Sequence, residues 1–165
     1  MSVDFPPWLG DLPTWITTVA VLIAAGQYLG ERRRRREEAD REARAQATHL
    51  TAWTVTDVGE ERAYGVRLSN TSGSTFHDVQ IDAVIHGEQA ARPIELTVVP
   101  PGDYFVRFNG NDTTYTWNFA QELGEYGGWL RPYMKSDKYR VTGLRFSDNL
   151  NQNWVTDDRS VLRVL

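Results

Sequence analysis

Cysteine is absent from the 165 residues, which excludes disulfides, thiolate-bound zinc and a cysteine nucleophile. Histidine is scarce: His49, His77 and His86 stand at no metal-ligand spacing and form no His-Glu-x-x-His pattern. The chain has no glycine-rich phosphate loop and no Gly-x-Ser-x-Gly elbow. Its carboxylates are scattered, with no two placed by sequence as an acid–base pair. The turn Asp148-Asn-Leu-Asn-Gln-Asn lacks the alternating Asp frame and closing Glu of a calcium loop. These absences predict a chain that is no enzyme and carries neither cofactor nor metal. An excess of cations is missing too. Residues 51–165 hold eleven Lys/Arg against fifteen Asp/Glu, a net of −4 and too acidic to hold nucleic-acid phosphate.

Charge of either sign is missing from residues 12–29, LPTWITTVAVLIAAGQYL. As a helix this run spans about 27 Å, close to a bilayer core of roughly 30 Å. Trp15 and Tyr28 stand near its two ends, where amphipathic rings prefer the headgroup level. Arg32, Arg33, Arg34, Arg35 and Arg36 follow at once. A buried core helix is an alternative, but such helices rarely end in consecutive arginines. A cleaved signal peptide needs cations before the apolar run, where this chain has only Asp4 and Asp11. An interfacial helix needs a polar face, and only Thr14, Thr17, Thr18 and Gln27 interrupt the run. The pattern therefore predicts one transmembrane helix over 12–30, with an extracytoplasmic segment at 1–11. Because the cations follow the span, the carboxyl-terminal side is expected in the cytoplasm, with the arginines against an anionic inner leaflet.

Glycine and proline are missing from residues 31–50, which are rich in Glu, Arg and Ala. Opposite charges four apart, as at Arg33/Glu37, Arg34/Glu38 and Asp40/Arg44, predict a charged helical stalk. Ala39, Ala43, Ala47 and Leu50 make a thin apolar stripe, read either as weak docking on the following domain or as helix–helix association. Gly26-x-x-x-Gly30 favours the second, homo-oligomeric reading, because it allows close backbone approach.

After Leu50 the periodicity changes from helical to alternating. Short strands are expected at 52–56, 63–70, 78–85, 94–99, 104–108, 114–119, 139–146, 153–156 and 161–165. Val79, Ile81, Ala83 and Ile85 should face one side of a sheet, and Gln80 and Asp82 the other. Turns are signalled at Asn70-Thr-Ser-Gly-Ser, Pro100-Pro-Gly-Asp, Asn109-Gly-Asn-Asp and Asp157-Asp-Arg-Ser. The expected fold over 51–165 is mainly β: an antiparallel sandwich or small barrel of about eight or nine strands. Apolar content of 41% supplies the core and argues against disorder.

Three stretches carry a resemblance. In VRLSNTSGSTFHDVQIDAVI a strand ending Asn70-x-Ser72 leads through a short loop into a valine-rich partner. VVPPGDYFVRF adds a proline-glycine corner. VTGLRFSDNLNQNW matches a hairpin of the form Phe-x-Asp-x-x-Gly-x-x-Trp at Phe146, Asp148 and Trp154. Asn151 takes the glycine's place, and asparagine is the next most tolerant residue for a left-handed turn. On these residues the chain resembles small single-pass membrane proteins of high-GC Gram-positive bacteria and their prophages, whose carboxyl-terminal domain is an immunoglobulin-like β-sandwich. Most of those proteins lack an assigned activity, so the resemblance implies fold and location only.

Residues 120–138 are too long for a hairpin loop. Tyr126, Trp129, Arg131 and Tyr133 there are candidates for a partner- or ligand-binding clamp. The competing reading has Trp129 plugging an open end of the sandwich. The expected function is a membrane-anchored cytoplasmic interaction module that binds a protein partner or itself. The alternative is a ligand-gated membrane effector in phage defence, conceivably responding to a nucleotide signal, whose helices oligomerise.

Overall fold

The computed structural model describes residues 12–59 and 62–165, without the side chains of residues 12–18 and 36. The segment expected outside the membrane at 1–11, and the Trp15 and Arg36 side chains, lie outside the described residues. The chain divides into two compact units, Met1–Glu42 and Ala43–Leu165.

Helix α1 covers Leu12–Ala47, 36 residues. Good helix formers and ion pairs one turn apart account for its charged half. Arg33 meets Glu37 at 3.0 Å as expected, and Arg35 meets Glu31 at 2.7 Å. Both pairs are exposed, so each contributes only a few tenths of a kcal/mol, about 0.3–0.5. Among the described residues no helix is long and apolar enough to cross a membrane.

The second unit opens with the last turn of α1, which ends at Ala47 rather than running on to Leu50. Ala43, Ala47 and Leu50 are buried in its core, while Ala39 is exposed. The alanine stripe therefore docks on the β unit at its carboxyl-terminal end. Eleven strands follow, β1 (Leu50–Asp57), β2 (Ala63–Asn70), β3 (Phe76–Ile85), β4 (Glu88–Gln89), β5 (Ile94–Val99), β6 (Gly102–Arg107), β7 (Gln121–Glu122), β8 (Leu130–Pro132), β9 (Arg140–Ser147), β10 (Asn153–Thr156) and β11 (Leu162–Val164), with a single-turn helix α2 (Leu123–Tyr126) after β7.

These strands form two antiparallel sheets rather than one closed barrel. The first runs β7-β6-β2-β1-β8; the second runs β11-β10-β9-β3-β4, with β5 also on β3. Val66, Leu68 and Val106 of the first sheet and Phe76, Val79, Ile81, Leu144, Phe146 and Trp154 of the second share one core, so the unit is sandwich-like. The rings of Phe76 and Phe146 meet edge to face at 5.1 Å. The expected alternation along β3 holds for Val79, Ile81, Ala83 and Ile85. Val84 is buried as well, at 7% exposure. Gly65 is required by close approach: a Cβ there would collide with the Val106 carbonyl and the Phe105 ring.

Two buried polar side chains close the turns. Asn70, 2% exposed, donates from Nδ2 to the carbonyls of Ser74 and Val99, and its Oδ1 accepts from the Ser72 amide and hydroxyl. Asp148, also 2% exposed, accepts from the amides of Leu150 and Gln152 and from Trp154 Nε1, each at 2.9 Å. Asn151 lies between them at φ +61°, in the left-handed conformation expected of the residue that replaces glycine.

One expected strand does not form. Residues 114–119 make a single bridge, Phe108 to Trp117, and otherwise run outside both ladders. Two backbone bonds bracket that bridge, from the Asn109 amide to the Thr116 carbonyl and from the Asn118 amide to the Arg107 carbonyl, each at 2.9 Å, and the Asn109 side chain adds to them by donating to the Tyr115 carbonyl at 3.0 Å and to Asn118 Oδ1 at 3.1 Å.

Candidate functional site

Asp57 ends β1 and organises the long loop. Its Oδ2 accepts from the Tyr126 hydroxyl at 2.6 Å, and its Oδ1 accepts from the amides of Gly59 at 2.9 Å and Trp129 at 3.2 Å. Burial works to raise the Asp57 pKa. The Tyr126 hydroxyl, the two amides and the charge of Arg107 outweigh it and hold the carboxyl below its ordinary value. Tyr126 responds in the opposite sense: burial, and then the Asp57 carboxylate it bonds, push its phenol up to about 12. A Cβ on Gly128 would come within 2.7 Å of Asp57 Oδ2 and collide with the Tyr126 ring, so only glycine fits beside this carboxylate.

The four clamp candidates do not converge. Tyr126 turns to Asp57 and packs on Phe105 at 4.7 Å. Tyr133 stacks on Tyr139 at 3.9 Å, within a cluster completed by Tyr64 and His86. Tyr139 bonds His86 Nδ1 at 2.8 Å, and burial with the neighbouring tyrosines pushes its phenol up to about 12. That cluster joins β2, the turn after β3 and the approach to β9, a role in packing. Trp129 and Arg131 are exposed. At 76% exposure Trp129 plugs nothing, which corrects the packing expectation for this residue. Its amide is held by Asp57 while its ring stays in solvent.

A second surface was not legible as a site in the sequence. A groove of about 530 Å³ runs between β5 and residues 114–120. Pro93, Ile94 and Leu96 line it from the β5 side, and Tyr115, Trp117 and Phe119 from the other. Phe119 is 94% exposed and Tyr115 75%. Side chains brace the wall: Trp117 Nε1 donates to the Arg92 carbonyl at 2.7 Å, Asn111 Oδ1 accepts from the Ala91 amide at 2.8 Å, and Asn111 Nδ2 donates to the Gln89 carbonyl. The signal for this site was the period-two aromatic series Tyr115, Trp117, Phe119, which also fits an ordinary strand.

On α1, Tyr28 and Arg32 to Arg35 are exposed, and a Cβ placed on Gly26 or Gly30 meets nothing within 4 Å. The three histidines lie apart: His49 bonds Thr71, His86 bonds Tyr139, and His77 sits on β3. Among the described residues no group of three or more His, Asp or Glu side chains could hold a metal ion. No protein-family model, curated protein or solved structure matches the chain.

Proposed function

We propose that the chain is a membrane-anchored interaction module, with an immunoglobulin-like β unit on the cytoplasmic side that binds a protein partner. The observation that carries the reading is the order of features along α1. An uncharged run of bilayer length leads directly into five arginines, and the same helix ends with Ala43 and Ala47 in the core of the β unit. The exposed arginines add attraction to anionic lipid, about 1 kcal/mol each near the surface. Open space at Gly26 and Gly30 supports close approach of a second copy of the helix. The exposed aromatics Tyr115, Phe119 and Trp129 support a binding role for the β unit.

Fractionation tests the anchor. The full chain, tagged at Leu165, should sediment with membranes and stay there through an alkaline carbonate wash. Replacing the five arginines by Gln should weaken the orientation, read by paired cytoplasmic and extracytoplasmic reporters at the carboxyl terminus. Release of the unaltered chain by carbonate would overturn the anchor.

A further inference from the structure

We propose that Asn109-Gly110 is a self-modification site: in the folded chain Asn109 converts through a cyclic imide to aspartate and isoaspartate, and the conversion frees the segment that carries Tyr115. The only co-reactant is water, and neither a partner nor the membrane anchor is needed.

Three observations meet at this place. First, this is the only Asn-Gly pair in the sequence, and every other asparagine precedes a residue with a side chain. The reaction begins at the backbone nitrogen of the following residue, and glycine has no Cβ to shield that nitrogen. Second, the nitrogen is not held. Among the described residues the Gly110 amide makes no hydrogen bond, and Gly110 lies at φ +120° beside an Asn109 that is exposed to water. Third, Asn109 is a brace. Its Nδ2 donates to the Tyr115 carbonyl at 3.0 Å and to Asn118 Oδ1 at 3.1 Å, and its backbone amide donates to the Thr116 carbonyl at 2.9 Å.

The step balances without oxidant or reductant. Hydroxide takes the Gly110 amide proton, the nitrogen bonds to Asn109 Cγ, and the Cγ–Nδ2 bond breaks as ammonia leaves with a proton from water. Water then opens the ring. Opening at Cγ leaves aspartate, whereas opening at the main-chain carbonyl leaves isoaspartate, whose main chain runs through the former side chain. Either product adds a negative charge and has no N–H to donate, since a carboxylate only accepts. The Tyr115 carbonyl is a fixed acceptor, so it loses this donor and faces an oxygen of like charge instead. Isoaspartate also lengthens the main chain next to Phe108 and draws the position-109 amide away from Thr116. Trp117 stays tied to the Arg92 carbonyl, so the release falls on Tyr115 and Asn118 while the sandwich stays folded. The exposed surface that carries Tyr115 therefore changes shape as the protein ages.

The test holds the full chain, folded in detergent micelles, in mildly alkaline buffer and follows it by isoelectric focusing, peptide mapping and hydrogen exchange. An acidic species should accumulate, with aspartate and isoaspartate mapping to Asn109. Asn109→Gln keeps an amide but closes the larger ring slowly, and should lose that species. The aged protein and Asn109→Asp should both exchange the amides at positions 109 and 118 faster, with those of Ser72 and Gln152 unchanged. No acidic species from the folded chain, or conversion at another asparagine, would overturn the proposal. Conversion at Asn109 with unchanged exchange at Asn118 would overturn it as well. Release of the chain by carbonate would remove the anchor and leave each of these results standing, so the two failures are distinguishable.

Discussion

Asn70 and Asp148 are each 2% exposed and tie their turns to the strands with hydrogen bonds made inside the core. Residues 109–138 are tied differently, by Asn109, Asn111 and Asp57 at the margins of the sheets, and they leave Tyr115, Phe119 and Trp129 in solvent. The difference separates two uses of polar side chains. In the first region a buried bond to the backbone fixes the fold, and losing it strands a buried donor or acceptor. In the second, bonds at the rim hold a surface in shape, and losing them frees a loop while the sandwich stays folded.

The largest expected effect lies in the first region. Trp154→Ala removes a buried ring and the partner of Asp148 Oδ2, and should destabilise the chain by about 3–5 kcal/mol in chemical denaturation. Asn70→Ala leaves the Val99 carbonyl and the Ser72 amide without their partner inside the core. It should cost about 2–3 kcal/mol by the same measurement. A near-neutral Asn70→Ala would break the distinction between the regions.

Asp57→Asn tests the second region, with a smaller loss that depends on pH. The folded carboxyl sits below its ordinary value, so the stability it contributes is full above the ordinary carboxylate range. That contribution disappears as pH falls through the lower folded value, below about pH 4. Thermal melts of the two proteins should therefore differ at neutral pH and converge in acid. A difference that grows in acid would contradict the assigned bonds. The smallest effect is expected at Trp129→Ala, within about 0.5 kcal/mol, because its ring is in solvent. A loss of several kcal/mol there would restore the plug.

The core region was largely legible in the sequence. Strands at 63–70, 94–99 and 153–156 have the boundaries that alternation and turn residues assign, and Asn151 has the left-handed backbone its place in the hairpin requires. Residues 109–138 were not legible, for two physical reasons. Tyr115, Trp117 and Phe119 alternate as a strand does, but alternation records only which side chains share a face, and a braced loop satisfies it equally. The usual burial of large aromatics predicts a plug at Trp129, whereas its position is set through its backbone amide by Asp57. A lone aspartate at the end of a strand carries no sequence sign of that role.

The central claim is that polar bonds inside the core fix the fold, whereas bonds at the rim only hold the surface of residues 109–138 in shape. Hydrogen exchange of the full chain, compared between the unaltered protein and Asp57→Asn, tests it most directly. The account predicts faster exchange at the amides of Gly59 and Trp129, with the Asn70 and Asp148 turns unchanged. Faster exchange at the amides of Ser72 and Gln152, or no change at Trp129, would contradict the account.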